Sequence, residues 1–313
     1  MKKKVLKITG ITLLVLIALI VALPLFLQGK IEDIIKSKVN NSINATLDFE
    51  DANLSLLKSF PNANVELTNL SLVNKAPFEG DTLFASSGIE LAMSIKELFK
   101  SADEPIVIQR LNIDRAKLHI LVDENENANY DIAKADEGAA TESTEESSDN
   151  FKLNMDSYAI TNSEIIYDDR SSGMRFSLSE MNHSGTGDLS LEKSQLKTLT
   201  DALVSFEMDS TKYLNNNKIS LDALIGIDLK ESKYTFLENK ALINQLPLVF
   251  DGFVKVNENN QEVDITFKTP SSDFKNFLAV IPEAYSKNIE TVQTTGNFEV
   301  LWMTSIFQPS ALR

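Results

Sequence analysis

The chain has 313 residues, 43% of them hydrophobic and 24% charged, which is enough apolar material for a packed core and argues against global disorder. Thirty basic against 45 acidic residues leave a net charge of −15, a balance that phosphate backbones repel, so nucleic acid is excluded as a partner. Cysteine is absent, which removes disulfides, thiolate nucleophiles, Cys-based zinc sites and lipid attachment through cysteine.

The first element is the uncharged run from Ile8 to Leu27, interrupted only by Thr9, Gly10, Thr12 and Pro24. At ~1.5 Å rise per residue, such a helix spans roughly 30 Å, one hydrocarbon core. Lys2, Lys3, Lys4 and Lys7 flank its start, which places the N-terminus in the cytoplasm and all that follows residue 28 across the membrane. A cleaved signal peptide would have a shorter apolar region and a small-x-small site, which Pro24-Leu25-Phe26-Leu27 does not offer. Residues 1–27 are therefore read as a cytoplasmic tip and a retained transmembrane anchor. Next, Ile31, Ile34, Ile35, Val39 and Ile43 share one helical face, as expected of a short helix packed on the first strands.

From Leu47 the apolar period becomes two. Leu47 and Phe49, Leu54 and Leu56, then Val65 and Leu67 alternate, and after a slip of one residue so do Leu70 and Leu72. The alternation continues through Ile89, Leu91 and Met93, then Ile106 and Ile108, Leu111 and Ile113, and Leu118, Ile120 and Val122. This is the signature of strands with one apolar and one wet face. Leu54, Leu56, Val65, Leu67, Leu70, Leu72, Ile89, Leu91, Met93, Ile106 and Ile108 are expected to share one apolar surface, with Glu66, Glu90 and Gln109 on the opposite face. Residues 28–132 form this first β region. The stretch "AKADEGAATESTEESSDN", 133–150, breaks the pattern and reads as a disordered acidic loop. Alternation returns over 151–313, with one helical segment in "PSSDFKNFLAVIP". Roughly sixteen strands against two or three short helices define a mainly β region. Strands of this kind bury one face only. The sheet either folds onto a second sheet as a sandwich or curls into an open trough covered by something other than protein, and period alone permits both.

Catalytic signatures are missing. His119 and His183 stand far apart, and no H-E-x-x-H, G-x-S-x-G, P-loop or dinucleotide fingerprint occurs. "SGTGD" at Ser184–Asp188 reads as a turn. Asp123, Asn125, Asn127 and Asp131 match positions 1, 3, 5 and 9 of a calcium loop, but Ala128 and Lys134 stand where the turn glycine and the bidentate Glu belong. No enzyme activity, metal or cofactor is expected.

The order of these elements closely resembles the AsmA family of bacterial envelope proteins. The likeness is carried by the anchor, the short helix, "LDFEDANLSLLKSFPNANVELTNLSLVN", then "APFEGDTLFASSGIELAMSIKELFKSADEPIVIQRLNIDRAKLHILVDENENANYDI". Asn127 and Asn129 lie near that family's recurrent asparagine. "SEIIYDDRSSGMRFSLSEMNHSGTGDLS" and "TPSSDFKNFLAVIPEAYSKNIETVQTTGNFEV" look like Bacteroidetes-type members. Only the tail "LWMTSIFQPSALR" leaves the pattern, as a C-terminal truncation would.

The resemblance implies an extended, curled antiparallel β-groove, of the kind found in chorein-type bridge-like lipid transfer proteins. It also implies phospholipid as the ligand, envelope proteins as partners and a role in outer-membrane assembly from the inner membrane. Roughly sixteen strands at ~4.8 Å spacing would make a ladder of about 70 Å. The alternative is a structural envelope protein with a closed sandwich that binds protein partners. The lysine asymmetry gives a first prediction. A reporter active only after export, fused behind Arg313, should be active, and the N-terminus of the mature chain should lie before residue 28.

Overall fold

The computed structural model describes residues 32–33, 35–37, 39–100, 106–134, 151–152, 155–188, 191–257, 260–278, 280–281 and 296–309. The expected anchor and residues 135–150 of the acidic segment lie outside the described residues. The chain is mainly β. Its strands are β1 (Ala45–Asp48), β2 (Asp51–Ser59), β3 (Asn62–Asn74), β4 (Thr82–Ser94), β5 (Ile106–Val107), β6 (Arg110–Asp114), β7 (Lys117–Val122) and β8 (Phe151–Lys152). They continue as β9 (Ser157–Asp169), β10 (Met174–Thr186), β11 (Lys193–Met208), β12 (Thr211–Asp228), β13 (Lys233–Ile243), β14 (Leu246–Val256), β15 (Asn260–Asp273) and β16 (Asn297–Pro309).

Two compact units divide the chain. One comprises Met1–Asn112 and Ile132–Leu153, the other Ile113–Asp131 and Asn154–Arg313. In this division residues 113–131 group with the later strands. The reason is hydrogen bonding: β7 is bonded to β9, from Lys117↔Glu164 to Val122↔Asp169.

In the first unit β3 is the central strand. β1 and β2 follow one another along one edge of it, with Ala45↔Asn74 and Leu54↔Val65, and β4 lies along the other edge, with Val65↔Leu91 and Leu67↔Ile89. The slip between Leu67 and Leu70 has a backbone cause. Asn69 sits at φ 49, in the left-handed region that asparagine tolerates better than most residues. Its side chain points to solvent and donates to the Glu50 carboxylate, while Leu67 and Leu70 on either side of it are both buried. Leu47, Phe49, Ala52, Leu54, Leu56, Ala63, Val65, Leu67, Leu70 and Met93 form the core, and Ile35 and Val39 of the first helix pack against it.

Helical residues occur at 32–33, 35–37 and 39–42. Asn40 clamps this segment by accepting from Leu47 N–H at 2.7 Å and donating to Leu47 C=O at 3.0 Å. Lys36 Nζ lies 2.8 Å from Asp48 Oδ1. The acidic segment begins later than 133: Ala133 bridges to Ile43, and Lys134 Nζ donates to the Asn40 and Asn41 carbonyls. Those carbonyls belong to the last helical turn, where acceptors lack intrahelical partners and a cation is favoured.

The second unit begins with a departure from the expected antiparallel order. β7 and β9 run parallel, because the chain leaves the unit after Asp131 and returns at Asn154, a crossover long enough to bring the next strand in pointing the same way. From β9 to β16 every strand pairs antiparallel with its successor, as a meander. Asp209 and Ser210, both at positive φ, make the two-residue turn between β11 and β12.

Asn129 is almost wholly buried and acts as a one-residue strand for β7. Its N–H donates to Leu121 C=O, its Oδ1 accepts from Leu121 N–H, and its Nδ2 donates to His119 C=O. Replacing it with Ala leaves one donor and one acceptor of β7 without partners. Asn129→Ala should therefore lower unfolding free energy by on the order of 3 kcal/mol in urea titrations, whereas Asn127→Ala, on the exposed turn, should cost under about 1 kcal/mol.

Candidate functional site

The expected apolar surface of the first unit largely exists, but it is a protein core. Leu54, Leu56, Val65, Leu67, Leu70 and Met93 are buried in the cluster beneath the first helix, and Leu72, Ile89 and Leu91 pack at its margin. Ile108 is buried outside this cluster, and for Ile106 only the backbone, in β5, is described. On the opposite face Lys58 Nζ sits between the Glu66 and Glu90 carboxylates. Gln109 departs from expectation, since its amide oxygen is buried without a hydrogen-bond partner.

A second apolar face runs across β9 to β15. Strand register places Ile165, Leu178 and Val204 side by side, as it does Phe176 and Phe206. Further along the ladder come Leu221 beside Ala241 and Leu248, and Ile225 beside Phe236. Phe236, Phe250 and Phe267 form an aromatic row with ring centroids 5.5 and 5.6 Å apart. Along this face from β10 to β15 no strand position carries Lys, Arg, Asp or Glu, and on β9 only Asp169 at its last residue does. The reverse face carries the charge, with Leu199, Asp222, Lys240, Val249 and Lys268 in one cross-strand row. Exposure separates this surface from the first unit's core. Leu221, Ile225, Ile227, Phe236, Phe250, Ile265 and Phe267 are all half-buried, whereas the small side chains between them, Ala202 and Ala223, are buried.

Left-handed or otherwise irregular residues interrupt the strands at intervals and keep the apolar side chains on one side. Asn162 in β9, Glu180 in β10 and Asn216 in β12 sit at φ 50 to 52, and each coincides with or adjoins a register shift. In β14 the same need is met by Gly252 at φ 135, where a Cβ would come within 2.0 Å of the Asp264 carbonyl oxygen. Bulges of this kind add local twist and bend a sheet. Asn239, buried on the apolar face, fills one of them by accepting from Leu224 N–H and donating to Phe250 C=O.

One polar cluster interrupts the apolar wall. His183 lies between two hydroxyls, with Tyr158 Oη 2.8 Å from Nε2 and Thr200 Oγ1 2.8 Å from Nδ1. One nitrogen of the neutral ring donates and the other accepts, so both hydrogen bonds are made without charge. Tyr158 lies over Gly185, whose lack of a side chain is required because a Cβ would fall 2.3 Å from the ring. Burial pushes the His183 imidazole below its ordinary range and the Tyr158 phenol above its own. In the sequence alone His183 stands isolated. The signal was its place in the alternation, one step beyond Met181 on the apolar side of β10.

Asp123 serves its own turn, accepting from the N–H groups of Asn125 and Asn127 and from Asn127 Nδ2, which together hold its carboxyl below the usual carboxylate range. Among the described residues no three His, Asp or Glu side chains converge as metal ligands. Among the described residues, too, no helix is long and apolar enough to cross a membrane.

The longest meander of this mainly β chain thus carries a continuous apolar face, most of whose large side chains are only half-buried. The family model described as the AsmA family matches residues 1–276, and the chain belongs to that family. Membership fits an envelope-associated function. No curated protein and no solved structure matches the chain.

The His183 cluster predicts a pH dependence. The folded-state pKa lies below the unfolded value of about 6.5, so the contribution to stability is complete above that value. It falls as pH drops from about 6.5 toward the folded pKa, because the unfolded chain takes up the proton first. Melting temperature should therefore decline between pH 7 and pH 5.5 more steeply for the wild type than for His183→Gln. Parallel curves would show that His183 is not held neutral by its surroundings.

Proposed function

We propose that this AsmA-family chain is a non-enzymatic, inner-membrane-anchored periplasmic protein that holds or conducts phospholipid along the apolar face of β9 to β15, in the service of outer-membrane assembly. The observation that carries the reading is the combination, on one face, of large half-buried apolar side chains and no charge between the strand ends. Each methylene removed from water contributes ~0.8 kcal/mol, so a chain of about 15 methylenes gains on the order of 12 kcal/mol on such a surface. Eight strands from β9 to β16, at ~4.8 Å spacing, make a ladder of roughly 34 Å. That is about twice the depth of one leaflet's hydrocarbon. It holds acyl chains comfortably and is too short to bridge two membranes alone.

The anchor at residues 8–27 supplies the inner-membrane attachment in this reading, and the lysines before it set the orientation. A closed scaffold is the competing reading, and the half-buried side chains of β9 to β15 support the open surface over it. In a sandwich the inward side chains of both sheets are covered, as those of the first unit are by its own helix.

A photo-crosslinking residue distinguishes them. Placed at Leu221 in the membrane-embedded full chain, it should yield phospholipid adducts, and placed at Val65 it should yield only crosslinks within the chain. Protein-only crosslinks at both positions would favour the scaffold. In parallel, Leu221→Asp should cost clearly less folding stability than the same change at Val65 while reducing co-purified phospholipid. Val65→Asp, which buries an unpaired charge, should cost several kcal/mol.

A further inference from the structure

The two most exposed large hydrophobic residues of the described chain, Leu57 at 66% and Phe60 at 64%, sit together at one tip. They occupy the end of β2 and the turn that leads through Pro61 into β3. Lys58, between them, is drawn away: its ammonium reaches back to Glu66 and Glu90, several residues behind the turn on the outer face. The tip is thereby left with an uncovered leucine and phenylalanine, an arrangement that water does not favour.

The direction of the first helix says what lies in front of that tip. Asn40 is bonded to Leu47, while Lys36, one turn earlier, reaches Asp48 and lies 4.6 Å over the Phe49 ring. Moving backward along the helix therefore moves forward along β1 and β2, toward Ser59. Glu32, a further turn back, lies roughly 6 Å nearer the tip end. Four residues, Gln28 to Ile31, separate it from the uncharged run that ends at Leu27. Even fully extended, the five links from Leu27 to Glu32 reach about 18 Å. β2 continues roughly 25 Å beyond the level of Asp51 before it turns. If the apolar run enters a bilayer, the near surface of that bilayer therefore lies no farther along this direction than the tip does. The same end carries the 3-10 turn Ile95–Phe99, beside the register pair Asn62↔Ser94, and Lys96 there is exposed.

We propose that the β2–β3 turn docks on the lipid bilayer, with Leu57 and Phe60 entering the boundary between headgroups and acyl chains. The turn is a second membrane contact beside the anchor and fixes the tilt of the first unit on the membrane. Aromatic and leucine side chains on a short protrusion, with a cation alongside, suit that boundary. The proposal rests on the anchored reading of residues 8–27 but not on lipid transfer by the second unit, so the two fail separately.

Because the chain has no cysteine, Phe60→Cys gives a single labelling position in the full-length protein. An environment-sensitive fluorophore there, in proteoliposomes of phosphatidylethanolamine and phosphatidylglycerol, should be quenched by lipids brominated near the top of the acyl chain and shielded from aqueous iodide. The same label on Glu79→Cys, in the exposed turn between β3 and β4 at the other end of the first unit, should show the reverse. Leu57→Ser with Phe60→Ser should leave melting temperature unchanged, since both side chains are exposed. In a tip-proximal labelled variant, Asn62→Cys, it should abolish most of the lipid quenching. A label at position 60 that iodide reaches freely, or that is shielded without lipid quenching as in contact with a second copy, would overturn the proposal. So would release of the chain from the membrane by alkaline carbonate, which removes the anchor on which the geometry depends.

Discussion

A β-strand that alternates apolar and polar residues has an apolar face that must be covered, and everything in this chain follows from how that cover is supplied. In the first unit it comes from the chain itself. Ile35 and Val39 lie on the sheet formed by β1 to β4, and the side chains beneath them are buried to the degree expected of a protein interior. In the second unit the same alternation runs on through β9 to β15, and most of the large side chains, Leu221, Ile225, Phe236 and Phe250 among them, are only half-buried. Two outcomes from one pattern define the two units: a packed core in the first and a partly uncovered apolar surface in the second.

Keeping that surface on one side over long strands is itself a physical problem. Strands of 13 to 18 residues twist strongly, and a strict two-residue alternation accumulates that twist without relief. The chain interrupts β3, β9, β10, β12 and β14 with single residues at positive φ, and apolar side chains face the same way before and after each. Asparagine is used at three of these positions and glycine at one, the residue types for which that backbone conformation costs least. Their side chains also take part. Asn69 reaches Glu50, and Asn162 accepts help from Asn182, whose Oδ1 bonds the Asn162 N–H. The abundance of Asn in a β protein, unhelpful by propensity, is partly explained by this service.

Much of this was legible in the residues, and the reasons for the remainder are physical. The slip between Leu67 and Leu70 could be seen in the sequence and corresponds to a real backbone event at Asn69. The alternation of Leu221, Ala223, Ile225 and Ile227 was equally plain. Period two states only that a face exists. It is silent on what lies over it, so the surface assigned by sequence to a ligand proved to be the packed core of the first unit. The parallel pairing of β7 with β9 was hidden because it depends on a crossover whose path leaves no local mark. Asn129 stood near the asparagine expected from the family resemblance, but its role as a surrogate strand needs the partner N–H and C=O groups of β7 in space. His183 was invisible as part of a cluster, since Tyr158 and Thr200 lie 25 and 17 residues away in sequence.

The His183 cluster also bears on what kind of surface the apolar face is. A wall built only of Leu, Ile and Phe would be equally comfortable for any hydrocarbon at any position. Tyr158, His183 and Thr200 instead place a hydrogen-bonded chain among apolar neighbours, Ile160 and Met181 on one side and Ala202 on the other. Its members satisfy one another, so the cluster leaves none of its own side chains unpaired and adds no charge to the wall while the imidazole is neutral. Protonation would change that at once, since both ring nitrogens would then be donors and a charge would stand in a surface otherwise free of it. The apolar character of the face between β9 and β11 is therefore conditional on one proton. The aromatic row Phe236, Phe250 and Phe267, at the other end of the ladder, has no such dependence.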